Sequence, residues 1–108
     1  MVHAFNTAIN DRDLDALSAL MTDTHRFVDA AGSTAEGRAT CREAWRGFFE
    51  AFPDYRNTFA TAEHAGDGVV TVAGRSDCSD PRLAGPAEWR AVVRDGLVDV
   101  WQVIDPDQ

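Results

Sequence analysis

Two charged side chains in this sequence have the surroundings that proton-transfer chemistry needs. Asp29 ends an apolar stretch just before Ala31-Gly32, and a carboxylate in an apolar cavity is a useful general base because burial disfavours its charged form. Its structural alternative is to accept hydrogen bonds from the backbone of its own turn. Arg90 lies in a strand-like segment, where an inward guanidinium would hold an enolate or a carboxylate. Its alternative is an ion pair with Asp99 and stacking on Trp101.

The composition excludes several other kinds of site. All 10 basic residues are arginines, so the chain has neither a Schiff-base lysine nor a phosphate-loop lysine. It also lacks the G-x-S-x-G motif of a nucleophilic serine. Cys41 and Cys78 do not have metal-ligand spacing, and Cys41 lies on an apolar helix stripe, so we expect free thiols. We therefore expect neither a metal nor a cofactor.

The net charge and the distribution of apolar residues predict which partners the protein binds and where it is located. A formal net charge of −8 at pH 7 repels phosphate backbones and anionic membrane surfaces. No apolar run approaches the roughly 18 residues of a membrane span, and the start MVHAFN lacks the basic and apolar regions of a signal peptide. These features predict a cytoplasmic protein that binds neither nucleic acid nor membranes.

The stretch from Phe27 to Tyr55 organises the rest of the chain. A short strand, Arg26 to Ala30, breaks at Ala31-Gly32-Ser33, where glycine allows a turn, and an amphipathic helix follows. Pro53 ends that helix, because a residue before proline is pushed out of the α region. The helix carries one apolar stripe of 3.6-residue period, formed by Cys41, Trp45, Phe48, Phe49 and Phe52.

Two shorter helices precede this stretch. Val2 to Asn10 predicts a first helix with Phe5 and Ile9 on one side, and Asp13 is a good N-cap for a second helix. The four large apolar side chains of the long helix need a broad partner, which the later strands must supply. The buried stripe of the second helix is expected to contain Leu14, Leu17, Leu20 and Met21.

The pattern changes after Pro53 from a helical period to alternating, β-branched segments. A strand begins at Tyr55, a turn lies at Gly66-Asp67-Gly68, and a second strand follows at Val69 to Arg75. Ser76 to Pro86 is polar and contains two prolines and a glycine, which predicts a long loop.

The last two strands carry the strongest hairpin signal. Trp89 to Arg94 and Leu97 to Ile104 are joined by Asp95-Gly96, which is typical of a two-residue turn. Such a turn sets a register in which Arg90 lies opposite Trp101. The face toward the helices would then carry Arg90, Val92, Asp99, Trp101, Val103 and Asp105, and the outer face Trp89, Ala91, Val93, Val98, Val100 and Ile104.

The apolar outer face predicts a homodimer. A row formed by Ala91, Val93, Val98 and Val100 would otherwise face water, at ~25 cal/mol per Å2 of apolar surface. Twofold dimers are the commonest protein assembly. In this register, Val98→Glu is expected to weaken the dimer and to leave the fold largely intact.

The order of elements, with a long helix between the first strand and four later ones, resembles the cone-shaped fold of nuclear transport factor 2-like proteins. The chain resembles in particular the SnoaL-like polyketide cyclases, in FNTAINDRDLDALSALM, VDAAG, EGRATCREAWRGFFEAFPDY and WRAVVRDGLVDVWQVID. The resemblance implies an α+β fold in which a curved antiparallel β-sheet wraps around three N-terminal helices. It implies one domain over residues 1–108.

Steroid isomerases of the same superfamily allow a comparison residue by residue. Their general base is an aspartate at the end of the first strand, and VDAAGS places Asp29 at that position. Their tyrosine donor on the first helix corresponds to Phe5, which has no hydroxyl, and their protonated aspartate falls near Arg90. Arg90 is then the strong donor left to meet a developing oxyanion. Polyketide cyclases use a cavity aspartate as acid or base, which either Asp29 or Asp105 could supply.

The resemblance implies a site for a small apolar or polycyclic ligand inside the cone. The chemistry would be proton transfer next to a carbonyl, as in cyclisation, isomerisation or dehydration, without a cofactor. The alternative is a non-catalytic ligand-binding or dimerisation module on the same fold. With Asp29 and Arg90 as the catalytic residues, the expected ligand-binding residues are Phe5, His25, Phe27, Trp45, Phe49, Tyr55, Asp99, Trp101 and Asp105.

Overall fold

The computed structural model describes residues 1–104, and within them it confirms the predicted α+β class. None of the described helices is both long and apolar enough to cross a membrane. The elements are α1 (Val2–Asp11), α2 (Leu14–Ala19), β1 (Met21–Val28), β2 (Thr34–Glu36), α3 (Arg38–Ala51), β3 (Arg56–Gly66), β4 (Val69–Asp77), β5 (Gly85–Arg94) and β6 (Leu97–Ile104).

The strands form one curved, unclosed sheet in the order β2-β1-β6-β5-β4-β3. All neighbouring pairs are antiparallel except β1 and β6, which run parallel, so the prediction of a wholly antiparallel sheet is wrong at this pair. The hairpin with β5 fixes the direction of β6. A parallel pair needs a long crossover between its strands, and here β2, α3 and three strands supply it.

Several strand ends differ from the sequence prediction because pairing extends the strands. β1 begins at Met21 and not at Arg26, since Met21 pairs with Val98 and the Val98 N–H donates to the Leu20 carbonyl at 2.7 Å. The predicted loop from Ser76 to Pro86 shrinks to residues 78–84, because its two ends pair with each other as parts of β4 and β5. The short strand β2 was not predicted.

The helices pack on the concave face of the sheet. α1 extends one residue beyond the predicted end, and α2 ends at Ala19, so Met21, which was expected on its buried stripe, is instead the first residue of β1. Asp13 caps α2 by accepting a hydrogen bond from the Ala16 N–H at 3.0 Å, and α3 ends just before Pro53. Trp45 and Phe49 of α3 are only 5% and 8% exposed, so the predicted core stripe is confirmed. The largest fully buried side chains include Trp89, Trp101, Phe5, Ile9, Leu17 and Met21.

A β-bulge changes the register of the last hairpin. The turn at Asp95-Gly96 has positive φ at both residues, 55° and 77°, as its sequence predicts. Val93 pairs with Val98, but Val92 pairs with Val100, so Asp99 is an extra residue on β6. From Val100 onward each β6 residue is paired one position later than predicted. The residues of β6 beyond the bulge therefore share their faces of the sheet with the opposite set of β5 residues from the predicted one.

The exchange of faces overturns several predicted placements. Trp89 was expected on the outer face but is 1% exposed in the core, and Val92 was expected on the face toward the helices but lies on the outer face. Trp101 lies opposite Ala91, while Arg90 lies opposite Gln102, so the predicted Arg90–Trp101 pairing is wrong. Ala91 and Val98 were expected on the outer face but are fully buried in the core. A charge at Val98 would therefore enter the core and unfold the protein, and Val98→Glu is not a test of a dimer.

Gly74 gives a test of the sheet geometry, because the backbone of the paired strand β3 lies against its Cα. A Cβ at this position would overlap the Thr58 carbonyl oxygen and lie 3.0 Å from Cα of Phe59. We expect Gly74→Ala to lower the free energy of unfolding by about 1–3 kcal/mol in urea denaturation, as overpacking does. Gly47→Ala, on an open part of α3, is the control and should raise it by about 0.5–1 kcal/mol. Equal stability of the two variants would contradict the described spacing of β3 and β4.

Candidate functional site

A largely apolar cavity of about 320 Å3 lies between α3 and the concave face of the sheet. Its size is in the range of small-molecule sites. The walls come from α3 and the segment between α3 and β3, from β1 with the turn after it, from β6, and from the loop between β4 and β5. The lining residues are Phe27, Asp29, Ala30, Ala31, Ala44, Trp45, Phe48, Tyr55, Leu83, Trp101 and Val103.

Aromatic rings in edge-to-face contact form much of the cavity wall. Trp45 stands edge-on to Phe27 with ring centroids 5.3 Å apart, and Phe48 is edge-on to Tyr55 at 4.8 Å. The Nε1 atoms of Trp45 and Trp101 are buried without a hydrogen-bond partner in residues 1–104. These two side chains therefore give the cavity aromatic surface and not exposed N–H donors.

Asp29 supplies the one carboxylate among the described residues that line the cavity. Its Oδ1 accepts hydrogen bonds from the N–H groups of Ala31 and Ser33, both at 2.9 Å, and its backbone closes the same turn. Asp29 is therefore a turn residue, as its structural alternative predicted, and it also lines the cavity. Within residues 1–104 the hydrogen bonds to this carboxylate go to Oδ1, and Oδ2 accepts none.

Tyr55 brings a hydroxyl group to the cavity and connects it to a buried polar chain. Its Oη lies 3.2 Å from Oγ of Ser76, which donates to Oδ1 of Asn57 at 2.8 Å. Burial raises the pKa of Tyr55 above its ordinary value, so the phenol is neutral at physiological pH. Tyr55 was predicted as a ligand-binding residue, whereas Ser76 and Asn57 were not recognised in the sequence.

Arg90 lies outside the cavity. It sits between Thr71 and Gln102 on the outer face of the sheet and is not a lining residue. Its predicted partner Asp99 pairs instead with Arg94, at 3.2 Å. The predicted placement of Arg90 near Asp29 was wrong because it assumed a hairpin without a bulge.

Asp99 is also turned away from the cavity. Its Oδ1 accepts hydrogen bonds from the hydroxyl groups of Thr22 and Thr24, at 2.7 and 2.8 Å. The Thr22 bond is the main reason that the pKa of Asp99 is lowered, with smaller contributions from Thr24 and Arg94. Asp99 borders a separate polar groove, and its contacts with Thr22, Thr24 and Arg94 hold it at the bulge.

Three other predicted ligand-binding residues belong to the core. Phe5 is fully buried, with its ring 4.7 Å from Trp101 and 5.7 Å from His25. Phe49 packs on Trp45, behind the cavity wall, at 5.5 Å. None of Phe5, His25 and Phe49 lines the cavity. Asp105 lies outside the described residues.

The sequence analysis did not identify several lining residues. Phe48 was recognised on the helix stripe but not as a ligand contact, and small residues such as Ala44 leave no sequence signal. Leu83 had a usable signal, because it is the one large apolar residue in the polar stretch from Ser76 to Pro86. In the part of the chain that the structure describes, no cluster of His, Cys, Asp and Glu could hold a metal ion.

Comparison with known proteins identifies the family. The sequence profile of the SnoaL-like domain matches residues 2–105, and the chain belongs to this family. No curated protein sequence matches it significantly. The fold is thus that of the nuclear transport factor 2-like proteins related to polyketide cyclases and ketosteroid isomerases, as predicted.

Three solved structures show the same fold at low sequence identity. A polyketide cyclase candidate from Sinorhizobium meliloti is 19% identical, with a TM-score of 0.85 over 94% of this chain and 91% of that chain. TerC, crystallised with polyporic acid, is 19% identical, with a TM-score of 0.78 over 98% and 88%. A protein of ketosteroid isomerase-like fold from Catenulispora acidiphila, in complex with trimethylamine, is 22% identical, with a TM-score of 0.73 over 96% and 83%.

The buried His25 gives the protein a pH-dependent stability. Its Nδ1 lies 2.7 Å from the Val98 carbonyl, and burial lowers its pKa below the ordinary 6.5, although the Val98 bond and Asp99 oppose this. The unfolded chain therefore binds a proton that the folded chain does not, and stability falls as the pH drops below 6.5.

Urea denaturation at a series of pH values tests this effect. The wild type should lose up to about 1.4 kcal/mol per pH unit below the ordinary histidine pKa. His25→Gln should flatten this dependence, whatever its effect on stability at neutral pH. His64→Gln, at an exposed position, is the control and should keep the wild-type slope. An unchanged slope in His25→Gln would rule out His25 as the cause.

Proposed function

We propose that this protein binds a small ring-containing carbonyl compound in the apolar cavity, and that Asp29 moves a proton at the carbon next to the carbonyl. The observation that carries the proposal is the position of Asp29, which lines an aromatic-walled cavity of about 320 Å3. The cavity walls favour a flat apolar body. A carboxylate at the edge of such a body can reach a hydrogen that the carbonyl makes acidic.

The turn after β1 suits Asp29 to the role of a base. Two backbone N–H groups hold Oδ1 and so fix the orientation of the carboxylate. Oδ2 is left for the ligand, and no arginine or lysine lines the cavity within residues 1–104. The carboxylate is therefore preorganised without being neutralised by a cation.

In this proposal Tyr55, and not Arg90, is the donor that stabilises the negative charge developing on the carbonyl oxygen of the ligand. Ser76 donates its proton to Asn57, so Tyr55 donates to Ser76 in the resting arrangement. Turning the Asn57 amide would exchange its oxygen and nitrogen, let Ser76 donate to Tyr55, and free the phenol proton for a ligand oxygen. Nδ2 of Asn57 has no partner in residues 1–104, so the turn breaks no hydrogen bond of that atom.

The relatives support a ring compound as the ligand class. TerC was crystallised with polyporic acid, and the Sinorhizobium meliloti protein is a polyketide cyclase candidate. Both share the fold of this chain at 19% identity. A second candidate function is non-catalytic binding of the same class of compound. It is favoured by the two hydrogen bonds to Oδ1, which give Asp29 a structural reason to be present.

Exchange of the α-hydrogens of β-tetralone for deuterium distinguishes the two functions. The wild type should accelerate this exchange, followed by NMR in heavy water. Asp29→Asn should reduce the acceleration by about 100-fold or more, with β-tetralone affinity changed little, because the amide oxygen can still accept from Ala31 and Ser33. Asp95→Asn, which removes a charge from an exposed turn, is the control and should exchange like the wild type.

Three other outcomes would contradict parts of the proposal. Equal exchange by Asp29→Asn and wild type would remove Asp29 from the mechanism. Binding of β-tetralone by the wild type without any accelerated exchange would favour the non-catalytic module. Absence of binding, measured by calorimetry, would reject the cavity as a site for this ligand class.

We also propose a homodimer through the outer sheet face. Because of the bulge, the residues on this face differ from those predicted from the sequence. Val69 pairs with Val92, and Val92 with Val100, so three half-buried valines form a continuous row across β4, β5 and β6. The helices cover the opposite face of the sheet. A second copy laid on this row would remove apolar surface from water.

Light scattering of two glutamate variants tests the dimer. Val92→Glu should convert a wild-type dimer to a monomer at micromolar concentration, because it places a charge in the middle of the valine row. Ala39→Glu, at an exposed position on α3, is the control and should remain dimeric. A monomeric wild type would reject the proposal.

A further inference from the structure

A second chamber of about 330 Å3 adjoins the cavity that contains Asp29. The two chambers share four lining residues, Ala30, Tyr55, Leu83 and Val103. The remaining wall of the second chamber consists of Ser76, Arg82, Ala84, Pro86, Ala87 and Ile104. Aromatic rings line much of the first chamber, whereas the second combines aliphatic side chains with the polar groups of Tyr55, Ser76 and Arg82, so the two differ in chemistry.

Leu83 is the one shared residue that can act as a movable partition. Val103 is held in β6, and the ring of Tyr55 is fixed by contact with Phe48 and by the hydrogen bond to Ser76. Ala30 has too short a side chain to separate two chambers. Leu83 lies in the loop of residues 78–84 and carries a long, rotatable apolar side chain.

Hydrogen bonds hold the backbone of this loop in place. The Asp80 carbonyl accepts from the Leu83 N–H at 3.0 Å, and Oδ1 of Asp80 accepts from the Arg82 N–H at 3.0 Å. At the start of the loop, the Asp54 carboxylate accepts from the Ser79 N–H, also at 3.0 Å. A change of the Leu83 rotamer would join the chambers without unfolding the loop.

The second chamber favours a neutral polar group. Arg82 borders it, but its guanidinium is bound to the Asp80 carboxylate at 2.7 Å. This pair holds the pKa of Asp80 at about 2, so the carboxylate stays ionised and the charge of Arg82 is compensated. The neutral polar side chains of this lining are Tyr55 and Ser76. Tyr55 donates to Ser76 and Ser76 donates to Asn57, so their oxygens remain as hydrogen-bond acceptors for a ligand.

We propose that the two chambers are subsites of one binding site and that Leu83 sets how long a ligand the site accepts. The ligand class is a flat aromatic or fused-ring body, held in the first chamber, with a neutral oxygen-bearing arm that enters the second. This assignment rests on the proposed function, because it takes the cavity beside Asp29 as the site of the ring body.

Two neutral probes that share one ring body test the role of Leu83. Methoxynaphthalene represents the body alone, and nabumetone carries the same body with a butanone arm. Calorimetry should show that Leu83→Ala increases the affinity for nabumetone relative to methoxynaphthalene by about 10-fold or more, as expected when the arm is buried. Leu83→Met keeps the side-chain volume and should leave the ratio near the wild-type value.

A crystal structure of Leu83→Ala separates failure of this inference from failure of the proposed function. One continuous chamber is expected, and collapse of the loop into the space of the lost side chain would overturn the role of Leu83. If both probes bind but their affinity ratio is unchanged in Leu83→Ala, the partition is also rejected. If neither probe binds while the chambers merge, the proposed ligand class is wrong and the partition stands.

Discussion

The carboxylate of Asp99 holds the bulge on which the arrangement of the last hairpin depends. It accepts two threonine hydroxyls from β1 and pairs with Arg94, so one extra residue is kept in β6 at the point where β6 meets β1. Because of that residue, Trp101 and Ala91 face the helices and Arg90 faces outward. This change of register places the ring of Trp101 in the cavity wall. It also places Val100 beside Val92 on the outer face, where they form part of the valine row.

The same constraint decides which side chains line the cavity. With Arg90 and Asp99 outside, the described lining is aromatic and aliphatic except for Asp29 and the hydroxyl of Tyr55. A neutral phenol, linked to Ser76 and Asn57, is then the available partner for a ligand oxygen.

The sequence predicted those features that depend on local patterns. The stripe of α3, its end before Pro53, the cap at Asp13 and the turn at Asp95-Gly96 all follow from residue types at short spacing. The bulge could not be predicted in this way, because Asp99 is held by Thr22 and Thr24, 77 and 75 residues earlier in the chain. Asp29 was placed at the cavity correctly because it depends only on the end of β1, whereas the position of Arg90 depended on the register.

A crystal structure of the protein with β-tetralone tests the central claim most directly. The account predicts electron density for the ring system among Trp45, Phe48 and Trp101, with the carbon next to the carbonyl within hydrogen-bonding reach of Oδ2 of Asp29. It also predicts that Oδ1 keeps its bonds to the turn. A ligand bound elsewhere, or bound in the cavity with its α-carbon remote from Asp29, would contradict the account.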